Sequence, residues 1–144
     1  MLAQGKAKEE EFKKFFKRIS DASLEEDMKE HWDFGVKIDV KMMKSVKRHQ
    51  KRDENIHWVE LKNVNGKKGW LYGEADFFSF ETTDYWIVVN KETLQDFIQK
   101  RCTDTNVLPA PTMYRMYQRK GRQDIITLVK SIDLMYISSL VIEK

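Results

Sequence analysis

The chain of 144 residues has few of the residues that cross-link or interrupt a fold: one cysteine, two prolines and six glycines. Because Cys102 is alone, an internal disulfide is excluded and a zinc site built from cysteines is not expected. No apolar run approaches the roughly 20 residues that a membrane helix needs, and the N-terminus lacks the apolar stretch of a signal peptide. We therefore expect a cytoplasmic protein that does not contact a membrane.

Linker-like composition is absent as well, since no repeat, low-complexity tract or proline-rich stretch interrupts the chain. The length and the hydrophobic content of 41% are those of one folded domain with one core. We expect a single domain over 1–144, with a core at about 20–98 and a C-terminal extension at about 112–144.

A large excess of either charge is also absent, because 26 basic and 23 acidic side chains leave a net charge of +3. The distribution is uneven, with ten Lys and Arg against four Asp and Glu in residues 35–72. One basic cluster lies within 41–52, and a second surrounds a Lys-Gly turn. Such clusters are typical of surfaces that bind phosphate, so we predict that both contact nucleic acid. The predicted contact residues are Lys41, Lys44, Lys47, Arg48, Lys51, Arg52, Arg119, Lys120 and Arg122.

The periodicity of apolar residues predicts a mixed α/β fold. Helices are expected at 6–19 and at about 24–31, and alternation of apolar and polar residues predicts strands at 36–42 and 56–64. A hairpin follows at 77–80 and 85–89, and then a helix at 91–101. A last hairpin is expected from 114–118 and 125–129, and the apolar tail at 132–142 suits either a helix or a strand.

Three residues on the first two predicted strands carry the candidate chemistry. Asp39 lies in one strand, and Glu60 and Lys62 lie two residues apart in the next, where a spacing of two places both on one face. If the two strands pair, Asp39 lies beside Glu60. Two neighbouring carboxylates repel unless a cation separates them, and Mg²⁺ or Mn²⁺ would polarise a phosphoryl oxygen there. A nearby lysine can orient the attacking water or neutralise developing charge.

An acid followed in the next strand by Glu-x-Lys resembles the PD-(D/E)XK nuclease superfamily. The segment GWLYGEADFFSF from Gly69 to Phe80 also resembles the stretch that follows this motif in phage-type members. The resemblance implies a restriction-endonuclease-like core, in which N-terminal helices precede a mixed central sheet flanked by helices. Here a C-terminal hairpin would be added. One departure from the pattern is Ile38, which stands where the superfamily motif has proline.

The resemblance also implies roles for individual residues. Asp39, Glu60 and Lys62 would be catalytic, and the metal would be held by Asp39, Glu60, the backbone carbonyl of Leu61 and Glu26 from the N-terminal helices. Glu30 and Asp33 would support the site from nearby. An alternative takes Asp33 as the first acid and Asp39-Val40-Lys41 as the acid-x-lysine element, although six residues leave little room for a hairpin.

The expected function is therefore Mg²⁺-dependent hydrolysis of DNA by an endonuclease, phage-encoded and active in the bacterial host. In so short a chain we expect selectivity for DNA structure, or specificity achieved by a homodimer. Two other classes remain open. One is a nucleic-acid-binding module without catalysis, and the other is a phage structural or assembly protein in which the acids only pair with lysines.

Overall fold

The computed structural model describes residues 20–21, 34–102 and 106–144, and within them the fold is mixed α/β. A four-stranded mixed sheet has the order β3-β5-β6-β8. Its strands are β3 (Ile38–Lys41), β5 (Phe77–Glu81), β6 (Tyr85–Asn90) and β8 (Leu140–Glu143). β3 is parallel to β5, whereas the other pairs are antiparallel. The predicted hairpin of β5 and β6 is confirmed.

A second, antiparallel sheet joins β4 (Ile56–Lys62) to β7 (Ile125–Lys130). The register shifts between Glu60, which lies opposite Ile126, and Lys62, which lies opposite Ile125. Two steps along β4 therefore match one step along β7, so the strand carries a β-bulge at Leu61. A bulge of this kind redirects the side chains that follow it. A separate short pair consists of β1 (Ser20–Asp21) and β2 (Phe34–Gly35).

The core lies between one face of the four-stranded sheet and the β4–β7 pair. Phe78, Phe80, Val59 and Val129 are all fully buried within it. A short 3₁₀ helix at Trp70–Tyr72 follows β4 and places the Trp70 ring against Phe78, with ring centroids 4.9 Å apart. Aromatic packing therefore joins the loop after β4 to the neighbouring sheet.

In β3 the charged residues face the core and the apolar residues face outward, the reverse of an ordinary amphipathic strand. Asp39 lies in register with Phe78 and Lys41 with Phe80, so the two charged residues occupy the face of the sheet that carries the core. Ile38 and Val40 lie on the other face and are 50% and 54% exposed. Inward-pointing charges are a common feature of edge strands, and β3 is an edge among the described strands.

Two helices complete the described fold. α1 (Lys91–Arg101) is the predicted helix. Asn90 caps its N-terminus, because the Asn90 side chain accepts hydrogen bonds from the backbone N–H groups of Glu92 and Thr93. The apolar tail at 132–142 was expected to be a helix or a strand, and it contains both, because α2 (Ser131–Ile137) is followed by β8. The segment at 112–144, expected as an extension, thus supplies β8 to the four-stranded sheet and β7 to the sheet with β4.

The last predicted hairpin forms only in part. Tyr117 and Ile126 make an antiparallel bridge with two backbone hydrogen bonds, and Gly121 has a positive φ of 75° in the turn. Residues 114–118 do not form a named strand, although the Tyr114 N–H also donates a hydrogen bond to the Leu128 carbonyl of β7. The predicted helices at 6–19 and 24–31 lie outside the described residues. No helix in the described part of the chain is both long and apolar enough to cross a membrane.

Candidate nucleic-acid interface

An open groove of about 1050 Å³ lies where the end of β3 and the basic loop after it approach β4 and the segment at 111–126. Five of the nine predicted nucleic-acid-binding residues line it: Lys41, Lys44, Arg48, Arg52 and Arg119. The other four do not belong to its lining: Lys47, Lys51, Lys120 and Arg122. The structure thus brings both basic clusters of the sequence to one groove, each through a subset of its residues.

Three of the cationic side chains in the groove make no ion pair with another described residue. Lys44, Arg48 and Arg52 are all exposed, and the positive charge of Arg52 is one of the weaker influences that lower the pKa of Glu81. Lys41 and Arg119, in contrast, are paired with Asp39 and Asp124. The cations without an ion pair are therefore concentrated on the loop that follows β3, in the lining of the groove.

Aromatic rings line the same groove. Trp58, on β4, packs against Tyr117, with ring centroids 6.1 Å apart and an interplanar angle of 33°. Its indole Nε1 donates a hydrogen bond to the carbonyl of Ser45 at 3.4 Å, which ties the ring to the basic loop. Cationic side chains interleaved with aromatic rings are typical of grooves that bind single-stranded nucleic acid.

Glu60 reaches the groove as its position on the same face as Trp58 predicts. The backbone N–H of Trp70 donates a hydrogen bond to Glu60 Oε1 at 3.2 Å. This contact depends on Gly69, because an added Cβ there would lie 2.4 Å from the Glu60 carbonyl oxygen and 2.8 Å from its Cγ. The Gly69–Trp70 turn therefore closes directly over the Glu60 side chain.

Asp39 is connected to this cluster through Lys41. The Lys41 Nζ lies 2.8 Å from Asp39 Oδ2 and 4.2 Å from the centroid of the Trp70 ring. Asp39 is not part of the groove lining, and its strand pairs with β5, whereas the strand of Glu60 pairs with β7. The expected pairing of the two motif strands is therefore wrong, because each finds its partner elsewhere in the fold.

Lys62 lies apart from Glu60, contrary to the shared face that a spacing of two predicts. It lines a second cavity of about 500 Å³ with Lys67, Lys68 and Tyr72. The bulge at Leu61 is the physical reason, because it interrupts the alternation between Glu60 and Lys62. The Leu61 carbonyl, expected as a metal ligand, accepts a hydrogen bond from the Gly69 N–H at 2.9 Å.

These positions test whether the described residues suit a divalent metal. No group of three His, Cys, Asp or Glu side chains within the ranges 20–21, 34–102 and 106–144 is arranged to hold one. The Asp39 carboxylate is already paired with the Lys41 ammonium, which neutralises the charge that would attract a metal. The described residues therefore do not form a complete magnesium site. Glu26, Glu30 and Asp33, the remaining predicted acids, lie outside the described residues.

The sequence pattern did not predict two residues of the groove, Asp124 and Tyr117. Asp124 is 1% exposed, and its Oδ2 accepts hydrogen bonds from Nε and Nη2 of Arg119. Tyr117 faces Trp58 from the segment before the Lys-Gly turn. The only sequence signal for Tyr117 was its position two residues before Arg119 in a predicted strand. Asp124 had no signal, because it is an isolated aspartate after a basic turn.

His57 is a buried group beside the groove, and burial lowers the pKa of its imidazole from 6.5 to about 4. The negative charges of Asp53 and Glu81 act in the opposite direction but are weaker. Its Nε2 has no hydrogen-bond partner among the described residues, and its ring packs against Phe80 with centroids 5.1 Å apart. The side chain is therefore neutral at pH 7 and contributes packing rather than charge.

Comparison of the chain with protein-family models, curated proteins and solved structures gives no match. The resemblance to PD-(D/E)XK nucleases thus rests on the sequence motif alone.

Proposed function

We propose that the chain binds DNA, and that the groove between the basic loop and the β4–β7 sheet is the binding surface. The observation that carries this proposal is the set of three exposed groove cations, Lys44, Arg48 and Arg52, that make no ion pair with a described acid. Backbone phosphates are the ligands that such unpaired cations attract, and release of counterions from DNA drives the association.

The salt dependence of binding tests this assignment. The double variant Arg48→Gln/Arg52→Gln is expected to bind DNA more weakly. The slope of log K against log salt should become shallower by about 1 per lost phosphate contact. Lys100→Gln/Arg101→Gln removes the same charge from α1, away from the groove, and serves as the matched control. Equal losses in the two double variants would contradict a localised site, and no salt-sensitive binding by the wild type would contradict the function.

Metal-dependent hydrolysis of DNA is the second candidate. The observation that favours it is the position of Glu60 within the cationic groove, together with Asp39 on the core-facing side of β3. The restriction-endonuclease-like core belongs to this second proposal. It is supported by the chain order of the strands that carry Asp39 and Glu60, while the pairing of those strands lends it no support.

Cleavage assays separate the two candidates. Linear, branched and single-stranded DNA would each be incubated with Mg²⁺ or Mn²⁺ and, separately, with a chelator. Hydrolysis predicts metal-dependent products that Glu60→Gln and Asp39→Asn abolish while DNA binding persists. Lys62→Ala tests the predicted catalytic lysine, and Lys67→Ala controls for loss of one charge from the same cavity. The absence of cleavage by pure wild-type protein would leave binding as the function, and cleavage that survives Lys62→Ala would remove the role of Lys62.

A further inference from the structure

One end of the groove holds an arginine whose orientation is fixed by a buried acid. Arg119 Nε donates a hydrogen bond to Asp124 Oδ2 at 3.0 Å, and Nη2 donates to the same oxygen. The Asp124 side chain is 1% exposed, whereas that of Arg119 is 42% exposed. The acid is thus an internal anchor, and the guanidinium extends from it to the surface of the groove.

One edge of the Arg119 guanidinium is available to bind a ligand. Asp124 occupies the edge formed by Nε and Nη2, and no described residue is a recorded acceptor for Nη1. A guanidinium carries five N–H donors in a planar fork, so the edge formed by Nη1 and Nη2 still presents parallel donors. That edge is complementary to a ligand with two acceptors side by side.

An aromatic surface lines the same groove as Arg119. Trp58 and Tyr117 pack with centroids 6.1 Å apart, and Ile126 extends the apolar surface. The bond from Trp58 Nε1 to the Ser45 carbonyl restrains rotation of the indole. The position therefore combines an oriented pair of donors with rings against which a flat ligand can stack.

We propose that this subsite binds a guanine base of an unpaired DNA strand, an inference that rests on the proposed DNA-binding function. Guanine presents O6 and N7 as adjacent acceptors, the pair that arginine contacts most often in DNA recognition. A backbone phosphate offers the same two-acceptor chemistry, but it gains nothing from the aromatic surface. A base within a duplex has its faces covered by stacking, so an unpaired base suits the site better.

Binding measurements with defined oligonucleotides test the subsite. The wild-type protein would be titrated with labelled oligothymidylate that contains one central guanine, adenine, cytosine or 7-deazaguanine. We expect roughly tenfold tighter binding of the guanine oligonucleotide, in line with the discrimination of a bidentate arginine. The 7-deazaguanine oligonucleotide should lose most of this preference, since it lacks the N7 acceptor. If contact were made to phosphate, the two guanine oligonucleotides would bind equally well.

Two variants show whether Arg119 is responsible. Arg119→Lys keeps the charge but loses the planar fork, so the guanine preference should disappear while salt-dependent binding of oligothymidylate remains. Arg101→Lys is the matched control, because Arg101 also lies near a carboxylate, Asp133, and over an aromatic ring, Tyr114, but is outside the groove. It should retain the full preference.

Substitution of the aromatic surface gives an independent readout. Trp58→Leu should weaken binding of the guanine oligonucleotide and reduce tryptophan quenching, whereas Trp86→Leu, on β6 and away from the groove, should not affect either. Equal affinity for all four oligonucleotides with normal salt dependence would overturn the subsite and leave the proposed function intact. Failure to bind any of these oligonucleotides while duplex DNA is bound would overturn the subsite alone, and failure to bind either form of DNA would overturn both.

Discussion

The backbone N–H of Trp70 donates its hydrogen bond to the side chain of Glu60, ten residues earlier in the chain. The same tryptophan packs its ring against Phe78 and carries the Lys41 ammonium above it. Through these contacts, the acid of the groove is positioned by the loop after its own strand rather than by a neighbouring strand.

The close approach of Gly69 to Glu60 predicts a large effect of a small substitution. Gly69→Ala places a methyl group against the Glu60 carbonyl and Cγ, so we expect the free energy of unfolding to fall by about 1–3 kcal/mol. Gly73→Ala is the control, because its added Cβ meets no atom closer than 3.3 Å and should cost less than about 1 kcal/mol. Urea unfolding of both variants measures the difference, and equal losses would show that the contact is not tight.

The ion pair between Asp39 and Lys41 is predicted to add little to stability. Both side chains are partly exposed, and pairs of this kind contribute less than about 1 kcal/mol. Asp39→Asn should therefore leave the unfolding midpoint nearly unchanged, which makes it a clean variant for the cleavage assay. A loss of several kcal/mol in urea unfolding would mean that Asp39 has a structural role that the ion pair does not explain.

Acid should destabilise the fold through His57. Its pKa is about 4 in the folded protein, below the 6.5 of the free side chain, so the unfolded chain binds more protons between those values. The contribution of neutral His57 is complete above pH 6.5 and is lost as the pH falls toward 4, by about 2–3 kcal/mol. Urea midpoints of the wild type should fall more steeply over this range than those of His57→Gln. Parallel pH profiles would contradict the assignment.

The single cysteine should react slowly in the native protein. Cys102 is buried, its Sγ lies 3.6 Å from Thr127 Oγ1, and burial raises the pKa of the thiol. Because only the thiolate reacts, labelling by a disulfide reagent at pH 8 should be at least about tenfold slower in native than in denatured protein. Rapid stoichiometric labelling of the native chain would show that this part of the core opens readily.

The sequence was informative where structure depends on local patterns. The helix from Lys91 to Arg101 was predicted with its correct bounds from its apolar spacing, and Leu94 and Ile98 are buried in the structure. The hairpin of β5 and β6 was equally accessible, since its two apolar runs are separated by a short polar turn. The Asn65-Gly66 pair is a local turn pattern of the same kind, and Gly66 has the positive φ of 74° that such a turn requires.

The candidate site depended on long-range pairing, which local patterns do not encode. Asp39 and Glu60 were expected on adjacent strands, but β3 pairs with β5 and β4 pairs with β7. Both alternatives preserve the same alternation of side chains, so periodicity could not distinguish them. The bulge that separates Glu60 from Lys62 has no sequence signal either, because Leu61 is an ordinary strand residue.

The groove has walls that belong to different sheets. The loop after β3 forms one wall, and β4 and β7 form the opposite wall. Among the described strands, none of the four-stranded sheet pairs with β4 or β7. Side-chain contacts join the walls near the groove: Trp70 packs on Phe78 and Phe80, and Trp58 donates a hydrogen bond to the Ser45 carbonyl. The width of the groove is therefore set by side-chain packing between two sheets. A shear of one sheet against the other would change that width without breaking a backbone hydrogen bond within either sheet.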